Sequence, residues 1–171
     1  RDKLQESLEF SHFSPVDRLV SSDGETVKTL FQLPGNAQIE AVLMHYDERD
    51  TLCISSQAGC AMGCVFCATG QMGFKRNLSS GEIIEQVMHY ARELAINDKR
   101  VTNVVVMGMG EPFNNYDAVM SAIERLNDPQ GMNLGARRFT ISTVGVVPMI
   151  ERFASENRQI NLAISLHAAN D

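Results

Sequence analysis

The sequence lacks a long hydrophobic run: in 171 residues, no segment approaches the roughly 18 consecutive apolar residues that a membrane-spanning helix requires. The first residues also lack the apolar stretch of a secretory signal. Neither internal repeats nor low-complexity segments occur. A content of 44% hydrophobic and 21% charged residues is ordinary for a globular protein. We therefore expect a folded, cytoplasmic protein that does not associate with membranes.

An excess of basic residues is missing as well, since the formal net charge is -6. Proteins that cover nucleic acid widely have a basic surface, so this class of function is disfavoured. Local basic groups remain, such as Lys75-Arg76 and Arg137-Arg138. They are compatible with a small phosphate-facing patch or with ordinary solvated side chains.

Cysteine is scarce, but three of the four cysteines stand close together, as Cys60, Cys64 and Cys67 in a C-x3-C-x2-C motif. This crowding disfavours a disulfide framework and indicates a metal centre. Three thiolates without a fourth ligand nearby leave one position open, which is typical of a reactive centre. Structural zinc is the alternative. Because no second C-x-x-C occurs, zinc would have to recruit Cys53 or a distant histidine.

The predicted elements change character near residue 50. Residues 16–46 read as short strands with turns at Asp23-Gly24 and Pro34-Gly35. From residue 51, strands alternate with helices, which is typical of parallel βα units. The predicted strands cover 51–56, 101–107, 139–142 and 160–166, and helices begin after a capping box at 79–82, near 116 and near 148. We predict an α/β fold with a β extension in residues 1–50 and a βα series in residues 51–171.

Candidate functional residues follow the carboxyl ends of these parallel strands, where such sheets bind their ligands. After the cysteine loop of the first strand, they are Gly110 and Glu111 on the second, Ser142 on the third, and Ser165, Leu166 and His167 on the fourth. Each alone has a simpler interpretation as a turn, a cap or a solvated side chain. Their common position at one edge of the sheet favours a shared site.

Five separated motifs together resemble the radical S-adenosyl-L-methionine (SAM) enzymes that methylate adenine C2 in ribosomal and transfer RNA, the RlmN type. The motifs are Thr51-Leu-Cys-Ile-Ser-Ser-Gln-Ala-Gly-Cys60, Gly73-Phe-Lys-Arg-Asn-Leu78, Gly108-Met-Gly-Glu-Pro112, Arg137-Arg138 with Ser142-Thr-Val-Gly145, and Ser165-Leu-His-Ala168. The resemblance extends from about residue 10 to the end of the sequence. It implies the first half of a partial (β/α) radical-SAM barrel.

The resemblance also implies roles for individual residues. Cys60, Cys64 and Cys67 would bind a 4Fe-4S cluster whose open iron chelates SAM. The strand-end residues Gly110, Glu111, Ser142, Ser165, Leu166 and His167 would contact SAM. Cys53 would help to resolve a covalent RNA adduct by removing a proton and forming a disulfide with a second cysteine, and Glu40 would act as a proton acceptor.

The chemistry of the target explains why such machinery is needed. Adenine C2 is an electron-poor carbon without a lone pair, so a polar methyl transfer from SAM lacks a nucleophile. The resemblance implies a radical route through a methyl-cysteine intermediate, with 23S ribosomal RNA and transfer RNA as substrates. It also implies an electron donor such as flavodoxin and a monomeric enzyme. The target base would leave its stack to react.

The methyl-carrying cysteine of the family lies late in a longer chain and is not among these residues. We therefore expect a fragment that is inactive alone. Three alternatives stay open: an adenine C8 methyltransferase of the Cfr type, a non-catalytic zinc or iron-sulfur RNA-binding module, and an electron-transfer protein. Pro112 favours the RlmN type over the Cfr type.

Overall fold

The computed structural model describes residues 13–166 and 168. Within that part of the chain the strands are β1 (Ser14–Val20), β2 (Thr26–Gln32), β3 (Gln38–Tyr46), β4 (Arg49–Cys53), β5 (Gln57–Gly59), β6 (Phe74–Asn77), β7 (Asn103–Val106), β8 (Phe139–Thr143) and β9 (Asn161–Ile164). The α-helices are α1 (Ala68–Gln71), α2 (Ser80–Ala95), α3 (Tyr116–Asn127) and α4 (Val147–Ser155). Short 3-10 turns cover Pro34–Asn36, Pro112–Asn115 and Ala136–Arg138.

The first three strands form the predicted β extension, an antiparallel meander. The hairpin turn predicted between β1 and β2 is confirmed, because Gly24 has a φ of 76° and the N–H of Glu25 donates to Oδ1 of Asp23 at 2.9 Å. Buried and half-exposed residues alternate along β2 and β3. One face of the extension therefore packs on the core and the other stays accessible.

The extension and the βα series share one continuous sheet. Strand β4 pairs antiparallel with β3 and parallel with β7, and the strand order is β1-β2-β3-β4-β7-β8-β9. The predicted parallel arrangement is confirmed, since β4, β7, β8 and β9 are parallel neighbours with α2, α3 and α4 between them in the chain. Over the described residues the sheet is open and ends at β9.

Strand β4 is shorter than predicted and ends at Cys53. The chain leaves the regular ladder there, because the N–H of Ser56 donates to the carbonyl oxygen of Met109 at 2.9 Å. This hydrogen bond joins the segment after β4 to the segment after β7. The end of the first parallel strand is thus built from contacts between loops at the carboxyl edge of the sheet.

Helix α2 begins as predicted with a capping box. The N–H of Glu82 donates to Oγ of Ser79 at 3.2 Å, and the N–H of Ser79 donates to Oε2 of Glu82 at 2.8 Å. The helices cover one face of the sheet, whose residues there are fully buried: Leu43, Leu52, Val104, Val106, Phe139 and Ile141. The opposite face carries half-buried residues, including Val42, Cys53, Val105 and Ser142. This second face and the carboxyl edge are where ligands have access.

A two-stranded antiparallel ribbon, β5 with β6, encloses the cysteine motif and was not predicted. At Gly59, where φ is 74°, a Cβ atom would lie 1.9 Å from the carbonyl oxygen of Gly73, so only glycine lets the two strands approach. No helix in the described part of the chain has the length and hydropathy of a membrane span.

Candidate active site

The ribbon holds the three clustered cysteines on one loop. The N–H of Cys60 donates to the carbonyl oxygen of Gly73 at 3.1 Å, and the N–H of Cys67 donates to the carbonyl oxygen of Cys64 at 3.0 Å. All three side chains are half-buried, and all four cysteines of the chain are free thiols. No two of these four cysteines form the disulfide that the family resemblance implied for Cys53.

Electrostatics couple the thiols to each other and to Glu111. Burial raises the pKa of the Cys60 thiol, a hydrogen bond from the backbone of Met62 lowers it, and the negative charges of Cys64, Cys67 and Glu111 raise it further. A metal centre would reverse this balance, since a bound cation favours the thiolate. The loop therefore gathers ligands that repel each other until a positive centre binds.

The donor set of this loop fits an iron-sulfur cluster. Three soft, accessible thiols on one loop are ligands that such clusters prefer. In the described residues, no three His, Cys, Asp or Glu side chains converge on the position of a single metal ion. Cysteines that hold a cluster each bind a different iron atom, so convergence on one point is not required of them.

Glu111 is buried at the carboxyl edge, with 2% of its surface exposed. Its Oε1 accepts the N–H of Phe113 at 3.0 Å, and its Oε2 accepts the N–H of Val144 at 2.9 Å. The backbone N–H of Glu111 donates to the side chain of Gln57 at 2.8 Å. The carboxylate thus links the segments after β7 and β8, while the backbone of Glu111 contacts β5. The carboxylate keeps lone pairs for a further donor.

Gly110 makes the approach of these segments possible. Its φ of 99° is disfavoured for other residues, and a Cβ atom there would lie 2.5 Å from Cβ of Gln57. A side chain at this position would push the loop after β7 away from the ribbon. Gly110 and Glu111 are therefore placed together beside the cysteine loop, as the sequence predicted.

The ends of β8 and β9 also meet. Oγ of Ser142 and Oγ of Ser165 are 2.9 Å apart, and the N–H of Ser165 donates to the carbonyl oxygen of Thr143 at 2.8 Å. The side chain of Leu166 is 73% exposed at the same edge. His167 lies outside the described residues.

Exposed apolar side chains surround the polar residues of this edge: Val65, Phe66, Met107, Val144, Ile164 and Leu166. Met107, Val144 and Leu166 follow parallel strands and Ile164 ends β9, whereas Val65 and Phe66 lie in the cysteine loop. Apolar surface beside polar groups is typical of a site that binds a partly apolar ligand such as a nucleobase.

Cys53 and Glu40 lie on neighbouring strands. Cys53 is the register partner of Val42, and Glu40, two residues before Val42 on β3, shares the face of Cys53. Burial raises the pKa of the Cys53 thiol, and a hydrogen bond from the backbone of Met107 lowers it. The carboxylate of Glu40 forms an ion pair with Lys28 at 2.9 Å on the accessible face.

Ser55 and Gln86 organise this region and were missed by sequence reasoning. The side-chain amide of Gln86 accepts the N–H of Ser55 at 2.8 Å and donates to its carbonyl oxygen at 2.9 Å. The hydroxyl of Ser55 donates to the carbonyl oxygen of Glu40 at 2.6 Å and accepts the N–H of Met109 at 2.8 Å. The available signal was a glutamine within the apolar stripe of α2.

The two basic pairs differ in their position relative to this site: Lys75-Arg76 belongs to β6 of the ribbon, whereas Arg137-Arg138 lies far from it. Arg76 forms two hydrogen bonds with the carboxylate of Glu82, at 2.7 and 2.9 Å, and these bonds raise the pKa of Arg76. Arg137 and Arg138 precede β8, and therefore lie at the amino ends of the parallel strands. The second pair is thus separated from the cysteine loop by the length of a strand.

Known proteins share this sequence and fold. The family model for the Radical SAM superfamily matches residues 54–171. "Probable dual-specificity RNA methyltransferase RlmN" of Chloroflexus aurantiacus is 55% identical, with 100% of this chain and 46% of the relative covered. "Ribosomal RNA large subunit methyltransferase N" of Nitrosopumilus maritimus is 50% identical, with 91% and 46% covered. The crystal structure of a radical SAM methyltransferase from Sphaerobacter thermophilus has a TM-score of 0.93 at 50% identity, with 99% of this chain and 50% of that chain covered.

A parallel sheet with three free thiols beyond its first parallel strand defines a protein with a candidate cluster site at the carboxyl edge. The superfamily match covers more than half of the residues, and the chain belongs to the radical SAM superfamily. Within it, the chain is similar over its length to proteins named as RlmN methyltransferases. The predicted partial barrel is confirmed by the structural neighbour. The chain spans about half the length of the curated relatives that it matches.

Proposed function

We propose that this chain carries the radical-generating part of an RNA methyltransferase that modifies C2 of an adenine in 23S ribosomal RNA and in transfer RNA. The observation that carries the proposal is the loop of three free thiols beside the buried carboxylate of Glu111. It occurs in a chain that is 55% identical to a protein named as a dual-specificity RNA methyltransferase. The proposal places the protein in the cytoplasm with its RNA substrates.

Cys60, Cys64 and Cys67 would hold a 4Fe-4S cluster, and the ends of β7, β8 and β9 would hold SAM. When bound, the cluster supplies the electron for the reductive cleavage of SAM. The Glu111 carboxylate, Ser142 and Ser165 offer oxygen atoms for the amino group and hydroxyls of SAM. His167 is included through the resemblance alone, and Gly110 and Leu166 would complete the walls of the site.

Cys53 and Glu40 would handle protons on the accessible face of the sheet. Because burial raises the pKa of Cys53, its Sγ holds a proton at neutral pH until a reaction demands it. The N–H of Met107 would stabilise the thiolate once it forms. Glu40, which pairs with Lys28, would accept a proton from this side.

The complete reaction requires more than these residues supply. The four cysteines of the chain are Cys53 and the three cluster ligands, so none remains to carry the methyl group. We expect no methyl transfer when the 171-residue protein is incubated with SAM, a reductant and an unmodified 23S ribosomal RNA transcript. Methylated adenine detected by mass spectrometry would contradict this expectation. The working enzyme is proposed to be a monomer that receives electrons from a flavodoxin-like donor.

The test of the cluster is anaerobic reconstitution with iron and sulfide. We expect a brown protein with about four iron and four sulfide ions per chain. Replacing Cys64 by alanine should abolish the colour, whereas the matched Cys53→Ala variant should retain it. Stoichiometric zinc without iron would contradict the proposal and favour a zinc module. Full iron content in Cys64→Ala would contradict the assignment of the cluster ligands.

A further inference from the structure

A second concave site lies at the opposite edge of the sheet from the cysteine loop. A pocket of about 260 Å³ is formed where β7 and β8 begin. Its lining consists of Arg100, Val101, Thr102, Met132, Asn133, Leu134, Gly135 and Arg138. This volume is below the roughly 300–1,000 Å³ of sites that enclose drug-sized ligands, so a small group fits better.

Two arginines face this pocket without an acidic partner. In the described residues, Arg100 and Arg138 form no hydrogen bond through their side chains and no ion pair. Four other arginines of the same acidic chain are paired with a carboxylate: Arg18 with Glu93, Arg76 with Glu82, Arg152 with Asp117 and Arg158 with Glu124. Within the described residues, Arg49, Arg92, Arg125 and Arg137 also lack a carboxylate partner, but they do not line this pocket. The pocket therefore keeps an uncompensated positive charge of two guanidinium groups.

The rest of the lining favours an anion. Among the residues that the structure describes, no Asp or Glu lines the pocket. Asp50 lies near Thr102, whose N–H donates to the Asp50 carbonyl oxygen at 2.9 Å, but the Asp50 carboxylate is directed to His45. Asn133 adds an amide donor to the two arginines. Guanidinium groups bind phosphate oxygens in a fork geometry, which makes phosphate the anion that this lining fits best.

We propose that Arg100 and Arg138 form a phosphate-binding site at the amino edge of the parallel sheet. The proposed function brings RNA to the protein, and the RNA backbone is one source of phosphate. Only this choice of source rests on the proposed function. A free phosphate is the other source with the same chemistry. Strand β8 has five residues and spans roughly 16 Å, a distance that a folded RNA in the active site readily exceeds.

The experiment compares two double variants of the 171-residue protein. Arg100→Ala with Arg138→Ala removes the site, and Arg92→Ala with Arg125→Ala removes the same charge from exposed helix positions. Binding is measured with an unmodified transfer RNA transcript over a range of salt concentrations, and with inorganic phosphate by NMR. Thermal unfolding verifies that each variant is folded, and R100Q with R138Q serves as a second pair.

If the RNA backbone is the ligand, the site variant should bind RNA about 10-fold more weakly than the control, with a salt slope smaller by about 1 to 2. If free phosphate is the ligand, only the phosphate titration should be lost. Both results support the site. RNA and phosphate binding that are equal in the site and control variants would overturn it.

Iron and sulfide contents are measured on the same samples, so that the two proposals can fail separately. If the cluster is reconstituted but the arginine variants bind RNA and phosphate like the controls, only the phosphate-site proposal fails. If the protein holds zinc instead of a cluster and the site variant loses phosphate binding, only the proposed methyltransferase function fails.

Discussion

Glu111 has two tasks: it holds two loops together and is proposed to contact a ligand. Because the residue is only 2% exposed, its carboxylate needs hydrogen-bond partners within the protein. The N–H groups of Phe113 and Val144 occupy one lone pair on each oxygen. The carboxylate therefore fixes the loops after β7 and β8 before any ligand arrives. A positioned acceptor of this kind needs little rearrangement on binding.

Replacing Glu111 by glutamine should separate these two tasks. The amide keeps one acceptor oxygen but presents an NH₂ group to the other backbone N–H, which is left unpaired. We expect a loss of about 1–3 kcal/mol in the free energy of unfolding, measured with urea. Glu48→Gln in the exposed turn after β3 is the control and should change stability by less than about 0.5 kcal/mol. Equal effects of the two substitutions would contradict the buried role.

Tyr90 gives a pH dependence whose sign follows from its surroundings. Its hydroxyl lies 2.7 Å from Oγ1 of Thr29 and 3.0 Å from the carbonyl oxygen of Ala41. Burial raises the pKa of Tyr90 from 10.0 to about 12, although the hydrogen bond with Thr29 opposes this shift. The unfolded chain therefore loses this proton at lower pH than the folded one, and stability falls as pH rises through this range.

The test compares wild type with Tyr90→Phe between pH 9 and pH 12. This interval includes the ordinary tyrosine pKa of 10.0 and reaches the pKa of about 12 of Tyr90 in the folded protein. We expect the wild type to lose on the order of 2 kcal/mol more unfolding free energy than the variant across this interval. Urea unfolding followed by circular dichroism measures both. Parallel pH profiles of the two proteins would show that Tyr90 ionises alike in the folded and unfolded states.

Single residues differ in how far the sequence reveals them. The spacing of Cys60, Cys64 and Cys67 is a local pattern, and it was sufficient to find the candidate site. The bond between Glu111 and the N–H of Val144 joins two loops that only the folded sheet brings together. Arg100 and Arg138 likewise line one pocket only because β7 and β8 are neighbours.

At the level of elements, helix α2 was predicted well because its signals are local. The capping box at Ser79 and Glu82 sets its start, and its apolar stripe sets its buried face. The ribbon of β5 and β6 was missed because three residues, Gln57–Gly59, are too few for an alternation pattern. Its pairing depends on contact across the cysteine loop, which no local signal records.

Two hydrogen bonds of Gln86 attach helix α2 to Ser55, just after β4, and they predict the effect of Gln86→Ala. The substitution leaves the N–H and carbonyl oxygen of Ser55 buried without partners. We expect a loss of roughly 2–4 kcal/mol in unfolding free energy from two unsatisfied buried groups. Because Ser55 also contacts Glu40 and Met109, the cluster should show an altered electron paramagnetic resonance spectrum after reconstitution.

The matched control for this prediction is Arg92→Ala on the exposed face of the same helix. It should change stability by less than about 0.5 kcal/mol and leave the spectrum unchanged. A Gln86→Ala protein that loses stability but gives the wild-type spectrum would limit Gln86 to a structural role. A protein with wild-type stability would contradict the hydrogen-bonding argument itself.

For the whole molecule, the continuous sheet places the candidate residues of the extension beside those of the βα series. The parallel strands were predictable from alternating elements, but the antiparallel pairing of β3 with β4 was not. It depends on the tight turn between Tyr46 and Arg49, whose residues also suit an unpaired loop. Without this pairing, Glu40 and Cys53 would have no defined relation.

The core and the cysteine loop are separate parts of the molecule, and this separation predicts how the protein responds to metal removal. The cysteines are half-buried on a largely exposed loop, whereas the packed core is formed by the sheet and its helices. Replacing Cys60, Cys64 and Cys67 by alanine should change the unfolding free energy of the metal-free protein by less than about 1 kcal/mol, measured with urea and a chelator. Leu52→Ala in the core should lose roughly 2–5 kcal/mol. A zinc module would instead unfold without its metal, so an unfolded metal-free wild type would contradict this division.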